Sequence, residues 1–215
     1  MNKLDYIPAL RFHWLTPYYD AVVGITTRER TFKQALIKQA CIEPGMRVLD
    51  LACGTGTLTV WIKQVHTQAE VIGVDGDRNI LKLAIKKSKK ANVDVQFDCA
   101  MSDKLPYSSS YFDRVVSSLF FHHLSWENKQ RTVLEIYRVL KPDAEVLIAD
   151  WGKPSNFLMS ILFLFVQLLD GFKNTQENKS GKLIELLEYG GFKDTKQLQS
   201  FNTIFGTLVL YSAKK

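Results

Sequence analysis

Short apolar runs alternate with amphipathic stretches through the middle of the chain, and this alternation indicates the fold. Between the apolar runs, apolar positions recur every three or four residues, as they do on one face of a helix. The pattern predicts strands over 46–51, 71–75, 93–97, 112–119 and 146–150, with helices over 57–65, 78–90 and 126–140. Continuous apolar strands that are separated by helices are typical of a buried, mainly parallel sheet with helices on both faces.

The two flanks of this alternating region have different patterns. Residues 1–43 read as helical and rich in aromatic side chains, and we expect them to form an N-terminal lid. After the core, 44–150, an apolar run at 157–169 predicts a cap, a polar turn follows at 173–180, and a further helix is predicted over 181–187. The last segment, 191–215, predicts an antiparallel hairpin with strands over 195–201 and 205–213. We therefore expect one domain over 1–215, with the apolar cap and helices at 151–190.

Composition and charge exclude few classes of protein. Hydrophobic residues make up 46% of the chain and charged residues 23%, which is ordinary for a globular domain. The net charge of +6 is carried in part by Lys86, Lys87, Lys89 and Lys90 on one predicted helix, which we interpret as a solvated face. With no secretory pattern at the start of the sequence, we expect a cytoplasmic protein.

Cysteine and histidine spacing argues against a metal or disulfide framework. Cys41, Cys53 and Cys99 are three widely spaced thiols, an odd set that fits a reducing compartment. The four histidines give no ligand spacing with a third partner, so no metal site is expected.

The strongest candidate for a binding site follows the first predicted strand. Asp50 ends that strand, and Ala52, Cys53, Gly54 and Gly56 lie in the turn before the next helix. Glycine lets a backbone approach a ligand, and a helix N-terminus offers N–H groups to a negative group. A dinucleotide fingerprint requires a further glycine at position 59, where this chain has threonine, so a nicotinamide site is disfavoured. The alternative is a tight turn that binds nothing.

Asp75 ends the second predicted strand, about twenty residues after the glycine turn, with Gly76 beside it. A carboxylate at that place can accept hydrogen bonds from both hydroxyls of a ribose, and it would repel a 2′-phosphate. The alternative role is an N-cap for the helix over 78–90, for which Asp77 is better placed.

Several motifs now occur in a characteristic order. They are Asp50 with Gly54-x-Gly56, Asp75, Leu105-Pro106-Tyr107, Phe112-Asp113, His122-His123-Leu124 and the run from Arg138 to Pro142. Together they resemble the class I S-adenosylmethionine-dependent methyltransferases, in the group that contains the ubiquinone/menaquinone-biosynthesis C-methyltransferases. The resemblance covers 47–150 well and the remainder more loosely.

The resemblance implies an α/β, Rossmann-like fold with a seven-stranded, mainly parallel sheet, a C-terminal antiparallel hairpin and a helical cap. It also implies S-adenosyl-L-methionine as cofactor and S-adenosyl-L-homocysteine as product. The glycine turn would then bind the methionine carboxylate, and Asp50 would face the ammonium group. Ser118, at the end of the fourth strand, would lie beside the methyl-transfer centre.

One position departs from the family pattern. Where the family has Gly-Asp-Ala before Leu-Pro, this chain has Ala100-Met101-Ser102, so the aspartate that reaches the adenine amine is replaced by Met101. Met101 can pack on the adenine face, and Ser102 can contact the ring edge through its N–H or hydroxyl. Asp98 and Asp103 are nearby, but neither aligns with the missing aspartate.

His122 and His123 follow the fourth strand directly and are the candidate catalytic residues. Methyl transfer depends mostly on positioning, and a general base is required only when the acceptor atom carries a proton in its resting form. Either histidine could be that base. The alternative is a packing role at the start of the following helix.

Two segments outside the core should decide the acceptor. Tyr18-Tyr19-Asp20 resembles the Tyr-Asp element that related enzymes fold over the cofactor, so Tyr19 is expected to bind the methionine carboxylate; alternatively, these aromatics pack on the sheet edge. The apolar run 157–169 is too short to span a bilayer. It has three open interpretations: a cap over a hydrophobic pocket, a homodimer interface, or contact with a membrane surface.

These features predict an S-adenosylmethionine-dependent methyltransferase that acts on a small, apolar or aromatic metabolite at oxygen or carbon. A second hypothesis is a non-catalytic S-adenosylmethionine-binding protein. RNA methylation is a third, encouraged by the positive charge, but the chain lacks an appended RNA-binding module, so no nucleic-acid partner is expected.

Overall fold

The computed structural model describes residues 26–215, with only the backbone given for Leu169 and Asp170. Most of the predicted N-terminal lid, including Tyr19, lies outside the described residues. The contact that was predicted for Tyr19 therefore stays a prediction.

Seven strands form one sheet in the order β3-β2-β1-β4-β5-β7-β6. The strands are β1 (Arg47–Leu51), β2 (Glu70–Asp75), β3 (Gln96–Cys99), β4 (Phe112–Ser118), β5 (Leu140–Trp151), β6 (Lys193–Thr203) and β7 (Gly206–Lys214). Strands β1 to β5 pair in parallel, whereas β7 is antiparallel to both β5 and β6. The predicted seven-stranded, mainly parallel sheet with an antiparallel hairpin is confirmed.

Helices connect the strands and cover both faces of the sheet. They are α1 (Glu29–Gln39), α2 (Thr57–Val65), α3 (Arg78–Lys90), α4 (Trp126–Val139), α5 (Phe157–Asp170), α6 (Phe172–Lys179) and α7 (Leu183–Tyr189), with a 3₁₀ turn at Phe121–His123. The start of α3 has the expected cap, because the Asp77 carboxylate accepts the N–H of Asn79 at 2.8 Å. None of the helices within residues 26–215 is long and apolar enough to cross a membrane.

The side chains of each central strand point alternately to the two faces of the sheet, and each face carries one core layer. Leu49 in β1 and Val115 in β4 point to the layer that α4 and α7 cover. Their neighbours Val48 and Val116 point to the opposite layer, which α1, α2 and α5 cover. Because side chains of a strand alternate between faces, each central strand is apolar throughout.

Three predicted elements were clearly wrong in detail. Strand β5 begins at Leu140, six residues before its predicted start at 146. The polar run 173–180 was predicted to be a turn but forms helix α6, which buries Thr175 and Asn178 instead of apolar side chains. A pattern built on apolar periodicity cannot detect a helix whose inner face is polar. Strand β3 lies two to three residues later than predicted because it is the edge strand, where polar residues are tolerated.

The strand order reverses between β1 and β4, because the chain goes from β1 to β2 on one side and from β4 to β5 on the other. In parallel α/β sheets a crevice opens at such a point, outside the carboxyl ends of the strands. The segments that follow β1, β2, β4 and β5 all lie at this edge. The fold therefore brings the glycine turn, Asp75 and the two histidines to one edge of the sheet.

Candidate active site

The turn after β1 is held in a left-handed backbone conformation at three positions. Ala52, Gly54 and Gly56 have φ angles of 57°, 55° and 76°. Glycine adopts this conformation readily, but an alanine there is strained by its Cβ. The strain at Ala52 is supported by the fold, since the next residue, Cys53, donates its N–H to the Val74 carbonyl at 2.9 Å.

The two glycines of the turn have different surroundings. A Cβ built on Gly56 would lie 2.8 Å from the Cβ of Ala84 and 3.2 Å from the ring of Phe97, so Gly56 is required for packing against α3. A Cβ built on Gly54 meets nothing within 4 Å among the described residues. The backbone at Gly54 therefore faces open space, where a ligand can approach it closely.

Asp75 fixes this open turn to the end of β2. One carboxylate oxygen accepts the N–H of Gly54 at 3.0 Å, and the other accepts the N–H of Asp77 at 2.9 Å. Burial raises the pKa of Asp75, although these two donors oppose the shift. A carboxylate oxygen has two lone pairs, so each can accept a further hydrogen bond from a ribose hydroxyl. Gly76, the neighbour of Asp75, accepts a contact from the Cys99 thiol at its carbonyl, at 3.7 Å.

Asp50 lies buried beneath the glycine turn. Its carboxylate accepts a hydrogen bond of 2.6 Å from the hydroxyl of Thr59 in α2. Burial raises its pKa to about 6, and the Thr59 hydroxyl and the charge of Lys33 oppose the shift. A buried carboxylate whose negative charge is only partly balanced by nearby positive charge is suited to pair with a cationic group in the crevice.

The adenine side of the predicted site is built on a short hairpin after β3. Met101 forms a β-bridge with Lys104 and is 47% exposed, so its side chain is available to pack on a ligand. The Ser102 hydroxyl lies 2.8 Å from the hydroxyl of Thr132 in α4. Asp98 accepts the Tyr107 hydroxyl at 2.6 Å, so its carboxylate is already engaged in a separate groove.

Strand β4 ends in the partly buried Ser118, and the backbone then bends sharply. Leu119 has a φ of 55°, a strained value for a leucine, and its N–H donates to the Ala149 carbonyl of β5 at 2.8 Å. This bend directs the chain into the 3₁₀ turn that holds both histidines.

The two histidines have different environments. His122 is buried, and its Nδ1 lies 2.7 Å from Oδ1 of Asp150. His123 is partly buried, and its ring centroid is 3.9 Å from that of His122. Burial and the adjacent His122 ring lower the pKa of His123 to about 3. His123 is therefore uncharged at neutral pH, whereas His122 is oriented by a carboxylate.

Asp150 is the central residue that the sequence analysis missed. Its oxygens accept N–H groups from Phe120, Phe121 and Trp151 at 2.7–3.0 Å in addition to the His122 contact. Burial alone would raise the pKa of Asp150, but His122 and the N–H of Trp151 hold this pKa below its usual value. The available signal was an aspartate near the carboxyl end of an apolar strand, as in β1 and β2.

A second group of residues that the sequence analysis missed attaches helix α6 to this turn. Asn178 donates to the Trp151 carbonyl at 3.2 Å, and Asn174 donates to the His123 carbonyl at 3.2 Å. Lys129 of α4 is buried and donates to the Asn174 carbonyl at 2.6 Å; its Nζ lies 3.4 Å from Glu177. Sequence reasoning had no signal for Lys129, which lies on an amphipathic helix where a lysine is expected to face water.

The donor set at this edge fits S-adenosylmethionine. The open backbone at Gly54 can receive the methionine carboxylate, Asp50 can face an ammonium, and Asp75 can accept two hydroxyls. Among residues 26–215, no group of three or more histidine, cysteine, aspartate or glutamate side chains could hold a metal ion.

Comparisons with known proteins agree with this geometry. A family model described as a methyltransferase domain matches residues 48–143. The chain is 30% identical over 205 residues to the demethylmenaquinone methyltransferase of Lactobacillus johnsonii, and the aligned region covers 85% of this chain and 83% of that protein. It is 33% identical over 164 residues to the ubiquinone/menaquinone biosynthesis C-methyltransferase UbiE of Blochmanniella floridana, of whose length it spans 64%.

A solved structure shows the same fold at lower identity. Phosphoethanolamine N-methyltransferase 2 of Haemonchus contortus, in complex with S-adenosylhomocysteine, superposes with a TM-score of 0.72 at 18% identity, over 93% of this chain and 56% of that one. The likeness supports the fold alone. The relatives above show the family. The chain belongs to the class I S-adenosylmethionine-dependent methyltransferases, in the group of the ubiquinone/menaquinone-biosynthesis C-methyltransferases, and S-adenosylmethionine is its methyl donor.

Proposed function

We propose that this chain transfers a methyl group to a ring carbon of a small, apolar, hydroquinone-type acceptor. The observation that carries the proposal is the similarity to a demethylmenaquinone methyltransferase along 83% of that protein's length. The apolar helix that follows β5 supports it, because a largely apolar acceptor needs an apolar surface near the carboxyl edge of the sheet. Transfer to a hydroxyl oxygen of the same acceptor is the alternative.

In this proposal the turn after β1 and the end of β2 hold the cofactor. Gly54 allows close approach of the methionine carboxylate, Asp50 pairs with the ammonium, and Asp75 accepts the ribose hydroxyls. Met101 packs on the adenine, and Ser102 contacts its edge through the backbone, because the Ser102 hydroxyl is shared with Thr132. When bound, S-adenosylmethionine supplies an electrophilic methyl group on a positively charged sulfur.

His123 is the proposed contact to the acceptor. Its lowered pKa leaves the ring uncharged, so it can accept a hydrogen bond from an acceptor hydroxyl without first losing a proton. A hydroxyl held in this way directs electron density onto the neighbouring ring carbon. That carbon forms the bond to the methyl group as the methyl–sulfur bond breaks, and the proton on the carbon then passes to water, which restores the aromatic ring. His122 acts as a positioning residue, since Asp150 fixes its ring and the His123 ring packs against it.

The test is a methyl-transfer assay with reduced quinones. Short-tailed 1,4-naphthoquinol and 1,4-benzoquinol, each with one open ring position, are incubated with the purified chain and S-adenosylmethionine. Mass spectrometry measures S-adenosylhomocysteine, and NMR of the product locates the methyl group. We expect a C-methylated ring.

Two results would overturn the proposal. One is no S-adenosylhomocysteine above background with either quinol, from protein that binds the cofactor. The other is a methyl group on oxygen, which would favour the alternative. Asp75→Ala serves as the inactive control, and Asp98→Asn as the control that should keep activity, because Asp98 is engaged by Tyr107.

A further inference from the structure

Helix α5 presents a continuous apolar face that no described residue covers. The exposed large side chains recur at helical spacing and continue onto the start of α6: Phe157, Leu158, Ile161, Leu164, Phe165, Leu168 and Phe172. Phe157 is 82% exposed and Leu168 is 70% exposed. Monomeric soluble proteins rarely expose a contiguous apolar patch of this kind unless it binds something.

The exposure of this face does not come from a loosely attached helix. Met159, Phe163 and Val166 on the inner face are buried, and the Phe163 ring packs on Trp151 with a centroid distance of 5.8 Å. A Cβ on Gly206 would lie 3.0 Å from the Phe163 ring, so the fit against β7 is close. Helix α5 is therefore seated on the sheet and apolar on both sides.

The patch extends beyond α5 to the turn of the C-terminal hairpin. The ring of Phe165 stacks on that of Phe205 with a centroid distance of 5.4 Å and an interplanar angle of 5°. Ile204, beside Phe205, is 55% exposed. Two separate elements thus contribute apolar side chains to one surface.

We propose that this surface, residues 157–172 with Ile204, docks on a membrane that contains anionic lipids. Between positions 157 and 169 the polar residues are Ser160 and Gln167, and Gln167 is buried against α6, where its amide contacts Gln176. Protein interfaces carry about one hydrogen bond per 100–200 Å². A surface with so little hydrogen-bonding capacity fits hydrocarbon better than a protein partner.

The basic residues at the two ends of helix α5 favour anionic lipids. Lys153 precedes α5 and Lys173 follows it, and both are exposed. From 153 to 173 the sequence has these two lysines and one acidic residue, Asp170, so the charged residues of the segment are mostly basic. Basic residues that flank an apolar helix face are attracted to anionic headgroups while the face enters the acyl boundary. At 14 residues, α5 is too short to span a bilayer and would lie in its plane.

The location of the surface connects it to the site. Helix α5 follows β5, whose end carries Asp150, at the same edge of the sheet as the glycine turn. Docking through α5 would bring the acceptor side of the molecule to the lipid. This last step rests on the proposed function, whereas the docking itself does not.

The test is flotation of the full chain with large unilamellar vesicles, either of phosphatidylcholine alone or with 30% phosphatidylglycerol. We expect the chain to float with the anionic vesicles and to partition at least tenfold less onto the neutral ones. Phe157→Ser/Leu168→Ser and Lys153→Glu/Lys173→Glu should each lower partitioning at least tenfold. Flotation does not involve methyl transfer, so a negative flotation result is distinct from a negative result in the quinol assay.

A matched control removes apolar surface elsewhere. Val65→Ser/Ile85→Ser changes two side chains that are 64% and 40% exposed on α2 and α3, and it should leave flotation unchanged. Retained S-adenosylhomocysteine binding in every variant reports folding. The proposal is overturned if the full chain does not float, or if the α5 variants float like the unsubstituted chain. It is also overturned if light scattering shows a dimer that Phe157→Ser/Leu168→Ser converts to monomer, because a second copy then covers the face.

Discussion

At the scale of single residues, Asp50 and Asp75, near the carboxyl ends of β1 and β2, have separate proposed roles. Asp75 connects the glycine turn to the start of α3 and retains lone pairs for a ligand. Replacing it with alanine also removes the proposed charge-assisted hydrogen bonds to the ribose, and the loss of one such bond costs about 1.5–3 kcal/mol. We expect Asp75→Ala to weaken S-adenosylhomocysteine binding by at least about 10- to 100-fold in calorimetry.

Asp98→Asn is the comparison for this measurement, because Asp98 is held by Tyr107 and Gln96 in another groove. It should bind the cofactor as the unsubstituted chain does. Equal loss in both variants, or no loss in Asp75→Ala, would show that Asp75 does not hold the ribose.

Because Asp50 is the proposed partner of the cofactor ammonium, we expect cofactor binding to depend on pH. Burial raises its pKa to about 6, so the cofactor-free fold holds the proton more tightly than the unfolded chain does. Its stabilising contribution is therefore present below pH about 4 and lost as the pH rises through 6. A cationic ammonium favours the ionised carboxylate, so binding has the opposite dependence. We expect affinity for S-adenosylhomocysteine to rise about tenfold between pH 5 and pH 7.

Calorimetry at intervals of half a pH unit checks this expectation. Asp50→Asn keeps an acceptor oxygen for Thr59 but cannot ionise, so its affinity should change little over the same range. An equally steep profile in that variant would assign the titration to another group, of which Asp75 is the nearest carboxylate with a raised pKa.

His123 should behave as an uncharged contact rather than as a titrating base. Because its pKa is about 3, the ionisation of His123 should cause no change in activity with a quinol between pH 5 and pH 8. His123→Ala should lower kcat at least tenfold while S-adenosylhomocysteine affinity stays the same. His123→Asn should recover part of kcat, because its amide oxygen can accept the hydroxyl. If kcat is unchanged in His123→Ala, His123 has only a packing role.

At the scale of elements, local signals determined which boundaries the sequence could predict. Helices α2 and α3 occur at the predicted residues, since Gly56 and Asp77 mark their starts. Helix α6 was missed because it is anchored by Asn174 and Asn178. Its partners, Trp151 and His123, are distant in sequence, so the reason for the helix exists only in the folded chain. The pairing of His122 with Asp150, 28 residues apart, was unpredictable for the same reason.

The crossing of α7 on α4 depends on Gly190. Its backbone is ordinary, but a Cβ there would overlap the Cγ1 methyl of Val133. We expect Gly190→Ala to lower the free energy of unfolding by about 1–3 kcal/mol, as overpacking does. Urea denaturation measures the change.

A double-mutant cycle separates packing from other causes. Val133→Ala removes the methyl group in question, so Gly190→Ala should cost much less in the Val133→Ala background. If the two costs simply add, the crossing distance is not set by this contact.

At the scale of the whole molecule, the strand order positions the site and links it to stability. The chain segments after β1 and after β4 go to opposite sides of the sheet centre, so we expect a cofactor bound there to contact both halves of the domain. The sequence predicted this edge because continuous apolar strands indicate a parallel sheet. It left the exposure of the α5 surface open, since an all-apolar helix is consistent with a buried cap as well as with a dimer interface or a membrane contact.

A ligand that binds only the folded chain must raise its melting temperature. At 100 times its dissociation constant, S-adenosylhomocysteine should stabilise the fold by about 2.7 kcal/mol. For a domain of this size that corresponds to an increase in Tm of roughly 5–10 °C. Differential scanning calorimetry measures it, and NAD⁺ at the same concentration should give no increase, because the glycine turn lacks the dinucleotide pattern.

Two glycine variants locate the origin of this increase. Gly54 and Gly45 both have positive φ angles, of 55° and 81°, and a Cβ on either meets no described atom within 4 Å. Gly54→Val and Gly45→Val should therefore both lower the ligand-free Tm through backbone strain. Only Gly54→Val places a side chain in the crevice, so it alone should lose the increase with S-adenosylhomocysteine. A full increase in Gly54→Val would mean that the methionine part of the cofactor binds away from the turn after β1.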